Sequence, residues 1–288
     1  MEWIATHRDR LVSLFGAYYS PDTVRAILAL IRPALRLTSA GTRPGPARPG
    51  SAWPEFSQPG SAQPGFAQPS LRSGFSRPGD PPLLPADANR PTWAGRPLDF
   101  LAVIDFAEMA GVLSLPELPA AGTAYFYYAA EIPRPWGDDP AQREGWRVLS
   151  CTPADALPIE GGNGISAGAA EAPAVPLSAE PFLSLPGPYE PSLRALDATW
   201  SGFLDVYEQL YEAWLRFAWA DLPRHQLAGW PVLVQRSLGE DQRLLLQLDS
   251  DERLGRCWGD PGTVYFHTRA ADLSRGALDR CRLTLQAR

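Results

Sequence analysis

The sequence contains no lysine, and all 26 of its basic residues are arginine. This absence excludes enzymes that form a Schiff base through a lysine amine, and it excludes phosphate sites built on a Walker-type lysine. Every basic side chain is a planar guanidinium that stays protonated at any working pH.

Cysteine and histidine are also scarce, at three residues each. The odd, sparse set of cysteines (Cys151, Cys257 and Cys281) is typical of reduced thiols rather than of a disulfide framework. No apolar run reaches transmembrane length, and charges interrupt residues 1–10 where a signal peptide needs an apolar core. We therefore predict a cytoplasmic protein with no membrane partner.

The charge is divided unevenly along the chain. Residues 1–90 hold ten arginines and six acidic residues, whereas the remainder holds 16 arginines and 26 acidic residues, for a net charge of −6. An acidic main body argues against nucleic acid as a partner, because phosphate backbones attract basic surfaces. A solvated acidic surface is the simpler explanation of the excess, and an acidic recognition face is the alternative.

Three regions of the chain differ in pattern. Residues 1–38 predict an N-terminal pair of helices, the second of which begins at the Ser-Pro-Asp run at 20–22 and ends near Pro33. Residues 39–78 carry many glycines and, from 44 to 69, proline at every fifth position, which predicts a disordered linker. Residues 79–288 predict the main domain.

The main domain combines predicted strands with one long helix. Strands are predicted at 98–106, 123–128 and 146–149, where apolar and aromatic residues are grouped. Residues 151–190 are rich in proline, glycine and alanine, which predicts a long surface loop. Aromatic residues spaced three and four apart predict a core-packing helix at about 198–220.

An internal repeat is the strongest organisational signal. The run Phe-Leu-Ala-Val-Ile-Asp at 100–105, followed by Gly-Thr-Ala-Tyr-Phe at 122–126, parallels Leu-Leu-Leu-Gln-Leu-Asp at 244–249, followed by Gly-Thr-Val-Tyr-Phe at 262–266. We therefore predict an α+β fold, rich in β-structure. In it, two related antiparallel β units pack around one core with the long helix and the N-terminal helical pair.

Carboxylates gather after the first strand of the second repeat, where they are candidates for a hard cation or for acid–base work. The simpler alternative is that they cap a strand end and shape a turn, because their spacing matches no regular oxygen-ligand loop. A histidine just past the predicted helix and a glutamine within the strand complete the set. The candidate binding residues are His225, Gln247, Asp249, Asp251, Trp258 and Asp260.

Established catalytic and cofactor motifs are missing from the sequence. It has no Walker loop, no Gly-x-Gly-x-x-Gly after a strand and no Gly-x-Ser-x-Gly elbow. A zinc site would require Cys257, His267 and Cys281 to converge, and chance placement is the simpler interpretation. We assign no catalytic residue, no metal ligand and no cofactor.

These motifs resemble the YwqG-like family of bacterial proteins, whose biochemical activity is unknown. The resemblance rests on runs at 79–85, 97–105 and 118–126, on Trp93, and on the C-terminal runs at 225–235, 244–251 and 257–267. Val103 stands where the family usually has glutamine, although Gln247 keeps the matching residue in the second unit. The resemblance implies a β-rich α+β fold and a place among toxin-immunity and related conflict systems, whose members are proposed to act by binding.

Two functions from different classes stay open, and behind them a third, a scaffold whose proline-rich tether recruits a peptide-binding module. The first is a cytosolic, non-enzymatic protein that binds a toxin-like or basic protein partner, because an acidic body complements and steers a basic one. The second is a metal-dependent hydrolase that uses the carboxylates from Asp249 to Asp260. We favour the first, and the sequence assigns neither the partner nor the oligomeric state.

Overall fold

The computed structural model describes residues 2–39, 74–75, 91–151, 175–197, 202–220, 222–259 and 262–288. Helices α1 to α6 span Glu2–Gly16, Pro21–Ala29, Phe106–Val112, Pro191–Asp197, Phe203–Trp219 and Ala270–Leu273. Strands β1 to β12 span Arg32–Ser39, Gly74–Phe75, Thr92–Trp93, Arg96–Pro97, Asp99–Asp105, Thr123–Tyr128, Trp146–Cys151, Val175–Ser184, His225–Leu227, Gln242–Asp249, Gly262–Arg269 and Arg282–Ala287.

Ten of these strands form one antiparallel sheet, in the order β12-β11-β10-β9-β1-β8-β2-β5-β6-β7. At its centre β1 pairs with β8, with Leu35 opposite Pro181. On each side a short strand, β9 or β2, leads to a three-stranded unit, β10–β12 or β5–β7. The strand order is therefore symmetric about the central pair, and the α+β fold class is confirmed.

The two three-stranded units have the same register, which confirms the predicted pair of related β units. Asp105 lies opposite Thr123 in the first unit, as Asp249 lies opposite Thr263 in the second. In both units the register of the first strand shifts once, at matching positions upstream of that aspartate. Equivalent residues therefore have equivalent neighbours within each unit.

The matching aromatic residues of the two units meet in the main core. The rings of Phe126 and Phe266 pack edge to face with their centroids 5.1 Å apart. Because side chains alternate along a strand, Tyr125 and Tyr265 lie on the outer face of their own unit. The two units therefore contribute the same strand face to one shared core.

A helical layer covers the other face of the central strands. Helices α1, α2, α4 and α5 form a second core with Ala34 of β1 and Phe182 of β8. The indole N–H of Trp214 on α5 donates to the Leu183 carbonyl at 2.9 Å. Helix α5 begins at Phe203, and the first residues of the predicted helix, 198–201, lie outside the described ranges. No helix in the described part of the chain is long and apolar enough to cross a membrane.

Two predictions fail at the centre of the sheet. The pair of N-terminal helices is present, but the second helix ends at Ala29, and residues 32–39 form β1 rather than helix. The predicted surface loop at 151–190 contains the ten-residue strand β8. Both strands contain proline, which in a local sequence pattern indicates the end of a strand or helix. Here the pairing with strands from distant parts of the chain keeps β1 and β8 in the sheet, although each proline removes one backbone hydrogen-bond donor. Most of the predicted linker, residues 40–73, lies outside the described residues.

Candidate functional site

The carboxylate of Asp249, at the end of β10, is engaged by donors of the protein itself. Its Oδ1 accepts from the backbone N–H of Ser250 at 3.0 Å and from Thr263 Oγ1 at 3.1 Å. Its Oδ2 accepts from the backbone N–H of Arg224 at 3.0 Å. These bonds join the ends of β10 and β11 to the segment that enters β9, so the side chain has the structural role that the capping alternative predicts.

Asp251 and His225 form a buried pair. The His225 Nε2 lies 3.3 Å from Asp251 Oδ2, and the two side chains are 2% and 3% exposed. The Nδ1 of His225 lies 3.2 Å from the backbone nitrogen of Asp249. A backbone N–H only donates, so Nδ1 accepts and the neutral ring carries its proton on Nε2, directed at the carboxylate.

Arg253 supplies the remaining donors to Asp251. Its backbone nitrogen and its Nε donate to Oδ1 at 2.9 and 3.0 Å, and its Nη2 donates to Oδ2 at 3.3 Å. Burial raises the pKa of Asp251, but hydrogen bonds from His225 and Arg253 outweigh it and lower the pKa to about 2. Asp251 is therefore ionised at neutral pH, with both oxygens occupied.

Gln247 shares one face of β10 with Asp249, and both residues bond to the backbone of Arg224. The buried amide of Gln247 donates to the Arg224 carbonyl at 2.7 Å and accepts from the Val232 N–H at 2.8 Å. Next to it, the Tyr265 hydroxyl donates to the Val232 carbonyl at 2.7 Å. Gln247 therefore fixes the segment between β9 and β10 on the sheet.

Trp258 closes one end of the main core beside these residues. Its ring packs edge to face on Tyr128 with centroids 5.8 Å apart, and the Arg134 guanidinium lies 5.7 Å from its ring centre. The adjacent recess has an empty volume of about 230 Å³, counting the part open to solvent. Its lining residues are Leu101, His225, Leu248, Asp249, Leu254, Arg256 and Trp258. Three of the six candidates therefore meet at one recess.

The structure describes only part of the predicted carboxylate cluster, because Asp260 lies outside the described residues. Within the described ranges, no three His, Cys, Asp or Glu side chains gather as a metal site requires. Of the zinc candidates, His267 places its ring nitrogens 2.7 Å from Gln242 Oε1 and 3.0 Å from Thr284 Oγ1. Burial lowers the pKa of His267 to about 4, so the ring is neutral at pH 7.

Two features escaped the sequence reasoning. A loop after β6 exposes Ile132 and Trp136, and the signal for it was the proline-rich run Ile-Pro-Arg-Pro-Trp, which restricts the backbone. On the helical side, Arg32 stacks on Trp230 near Glu190. No local signal marks this second feature, because its residues are far apart in the chain.

The fold and the candidate site define an α+β protein with two related β units and a set of buried, hydrogen-bonded polar residues. The sequence profile of a family described as a domain of unknown function, DUF1963, matches residues 76–287. The chain belongs to this DUF1963 family. No curated protein matches the chain.

Proposed function

We propose that the chain is a YwqG-like protein that acts by binding a basic protein partner, in the manner of a toxin-immunity protein, and not by catalysis. One observation carries the proposal: a fixed surface loop at 129–139, called the tryptophan loop below, exposes two large apolar side chains. The occupied carboxylates of Asp249 and Asp251 add support, because a metal or substrate would have to displace their present donors.

Hydrogen bonds and close packing fix the backbone of the tryptophan loop before any partner arrives. The Trp136 carbonyl accepts from the Leu285 N–H of β12 at 2.9 Å, and the Trp136 N–H donates to Gln142 Oε1 at 3.1 Å. Gly137 has a φ of 92°, and a Cβ there would lie 1.8 Å from the Leu283 carbonyl oxygen. A loop already held in one conformation loses little entropy on binding.

The exposed side chains of the loop are those that anchor protein interfaces. Ile132 is 81% exposed and Trp136 is 45% exposed. Tryptophan is enriched among the few residues that dominate binding energy, where an apolar anchor is surrounded by a polar rim. The exposed apolar surface of these two side chains adds no hydrophobic stabilisation in the isolated protein, so it suits a surface that a partner covers.

Charges around the loop favour a basic partner. Glu131, Asp138 and Asp139 lie in the loop, and surface arginines pair with the first two. Such exposed pairs contribute little stability and exchange readily with charges on a partner. Arg134 is turned inward, where it donates to the carbonyls of the segment that ends at Trp258. A basic partner would displace Arg96 and Arg236 from these carboxylates, and the acidic main body of the chain would speed its approach.

A photo-crosslinking amino acid in place of Trp136, introduced in the native host, captures the protein that contacts the loop. Calorimetry with the purified partner should then show that Trp136→Ala and Ile132→Ala each weaken binding at least about tenfold. Val12→Ala on α1 is the matched control, because Val12 is 43% exposed, and its affinity should equal that of the wild type. The same affinity in all variants, or no captured protein, contradicts the proposal.

The hydrolase alternative is tested separately with divalent cations. If the protein is an enzyme that holds a metal through Asp260, one divalent cation should raise the thermal stability of the wild type. The same cation should leave the thermal stability of Asp260→Asn unchanged. Asp251→Ala is a poor test variant, because it removes the bonds to His225 and Arg253 and destabilises the fold without any metal. If a cation stabilises the wild type but not Asp260→Asn, the hydrolase function replaces the binding proposal.

A further inference from the structure

The indole N–H of Trp258 is a buried donor without an acceptor. Trp258 is 2% exposed, and no group in the described part of the chain accepts a hydrogen bond from its Nε1. The ring is held in place by Tyr128 and Arg134, and the backbone N–H donates to Ser250 Oγ at 3.0 Å. A buried tryptophan N–H normally has an acceptor, because leaving it unpaired costs the hydrogen bond that water would supply. The unpaired donor therefore points to a further molecule beside the ring.

Trp258 also forms one wall of the recess at the end of the main core. The recess has an empty volume of about 230 Å³, counting the part open to solvent. Leu101, Leu248 and Leu254 give it apolar walls. Pockets for drug-sized ligands span about 300–1,000 Å³, so this recess suits a molecule of only a few atoms.

The other polar groups of the recess that could accept a hydrogen bond are already engaged. The two carboxylate oxygens of Asp249 accept from backbone and hydroxyl donors of the protein. The Nδ1 of His225 accepts from the Asp249 N–H, and its Nε2 is directed at Asp251. A ligand that donates hydrogen bonds would compete with these bonds, whereas a ligand that only accepts them would not.

Charges of both signs line the recess. Arg256 is fixed there, because its Nη2 donates to the Phe100 carbonyl at 3.0 Å and its Nη1 lies 3.9 Å from Asp99 Oδ1. Asp249 lines the same recess and carries the opposite charge. An anion would meet the charge of Asp249, and a cation would meet that of Arg256, so an uncharged ligand suits the recess best.

We propose that the Trp258 N–H faces this recess and that the recess binds a small uncharged carbonyl compound, of the class of the short-chain ketones. The carbonyl oxygen of the ligand accepts from the indole N–H, and its alkyl part lies against the three leucines. A ketone oxygen accepts hydrogen bonds and donates none, which matches the groups on offer. No residue of the recess belongs to the tryptophan loop, so the site stands independently of the proposed function.

The test is an NMR titration of the purified full-length protein, labelled at its tryptophan indoles, with butanone as the probe. Trp258→Phe identifies the Trp258 indole resonance, because that resonance is missing from its spectrum. In the wild type this resonance should move and should saturate at about millimolar butanone, since so small a ligand makes few contacts.

Two compounds of nearly the same shape separate the contributions of charge and hydrogen bonding. Propionate adds a negative charge, and protonated sec-butylamine replaces the carbonyl oxygen with an ammonium donor. Each should bind the wild type at least about tenfold more weakly than butanone does. Saturation-transfer NMR, which observes the ligand, compares the three affinities.

The same ligand-observed measurement compares the variants. Trp258→Phe keeps an aromatic ring and removes the donor, which should weaken butanone binding about fivefold. Trp3→Phe is the matched control, because Trp3 lies on α1 beside His7, and it should bind as wild type. Circular dichroism establishes which variants are folded.

If Trp258→Phe does not fold, the comparison of the three compounds on the wild type still decides. Three results overturn the proposal. They are indole resonances that do not move with butanone, as when water alone meets the N–H, equal binding of the three compounds, and wild-type affinity in a folded Trp258→Phe protein.

Discussion

The two β units share one backbone plan and differ in what covers their outer faces. In the first unit the outer face carries a small apolar cluster, formed by Leu98, Phe100, Val103 and Tyr127. In the second unit the matching face is polar and bonds to the segment between β9 and β10. Val103 and Gln247 hold the same register position, opposite Tyr125 and Tyr265 respectively.

Buried glutamines account for this difference. The amides of Gln226, Gln247 and Gln286 all bond to backbone groups within residues 224–236. A segment without regular structure can cover a sheet only if its N–H and C=O groups find partners. The second unit and the adjoining strand β9 therefore supply polar side chains where the first unit supplies apolar ones, and the same arrangement of strands accepts either kind of covering segment.

The largest effect is expected where the units meet. Phe126→Ala and Phe266→Ala each remove a fully buried ring and should each lower the free energy of unfolding by about 4 kcal/mol. Because the rings are in contact, the double variant should be less destabilised than the sum by about 1 kcal/mol. Denaturant unfolding of the wild type, both single variants and the double variant measures the coupling. Strict additivity would show that the units are energetically independent.

Exchanging the matching residues between the outer faces of the two units should lower the free energy of unfolding, whichever unit receives the other's residue. Gln247→Val leaves the Val232 N–H and the Arg224 carbonyl without their partner, at a cost of about 3 kcal/mol. Val103→Gln places an amide in the apolar cluster, at a cost of about 2 kcal/mol. Chemical denaturation checks both values. A Gln247→Val protein as stable as the wild type would mean that the covering segment does not depend on the glutamine.

The sequence predicted the features that depend on local pattern. The repeat and the long helix follow from periodicity within short windows. The meeting of His225 with Asp249 and Trp258 was not predicted, because His225 lies on a separate strand outside the repeat. The central pair of strands was missed because Arg32 and Ser184 are 152 residues apart and each strand carries proline. The hydrogen bonds of the candidate carboxylates also come from donors that are distant in the chain, and no spacing in the sequence reveals them.

A smaller difference between the units is expected in how the free energy of unfolding depends on pH. His267 holds the position in the second unit that Tyr127 holds in the first. Burial lowers the pKa of His267 from 6.5 to about 4, so below pH 6.5 the unfolded chain takes up a proton that the folded protein refuses. The stability from this residue is complete above pH 6.5 and is lost as the pH falls toward 4, with about 2 kcal/mol lost by about pH 5.

Urea unfolding at neutral pH and at about pH 5 measures this loss. Burial also lowers the pKa of His7, which therefore contributes in the same direction. The informative comparison is between the wild type and His267→Gln, in which the pH dependence should shrink by about 2 kcal/mol. An unchanged pH dependence would falsify the neutral, buried state of His267.

The smallest effects concern the aspartate that ends the first strand of each unit. Asp105 caps α3, and its Oδ1 accepts from the N–H groups of Ala107 and Glu108 at 2.9 and 3.1 Å. Asparagine offers the same oxygen and caps helices as well as aspartate does. Asp105→Asn should therefore change the free energy of unfolding by less than about 0.5 kcal/mol in thermal or chemical denaturation.

Asp249 uses both oxygens as acceptors, so the same change should cost more in the second unit. One oxygen receives the Arg224 N–H, and the other receives donors from Ser250 and Thr263. The NH₂ group of Asp249→Asn must face a backbone donor on either side, which should cost about 1.5 kcal/mol. Denaturation of both asparagine variants in one buffer compares them. Equal stabilities would mean that the bonds of Asp249 to Arg224 and Thr263 contribute no more than a local cap does.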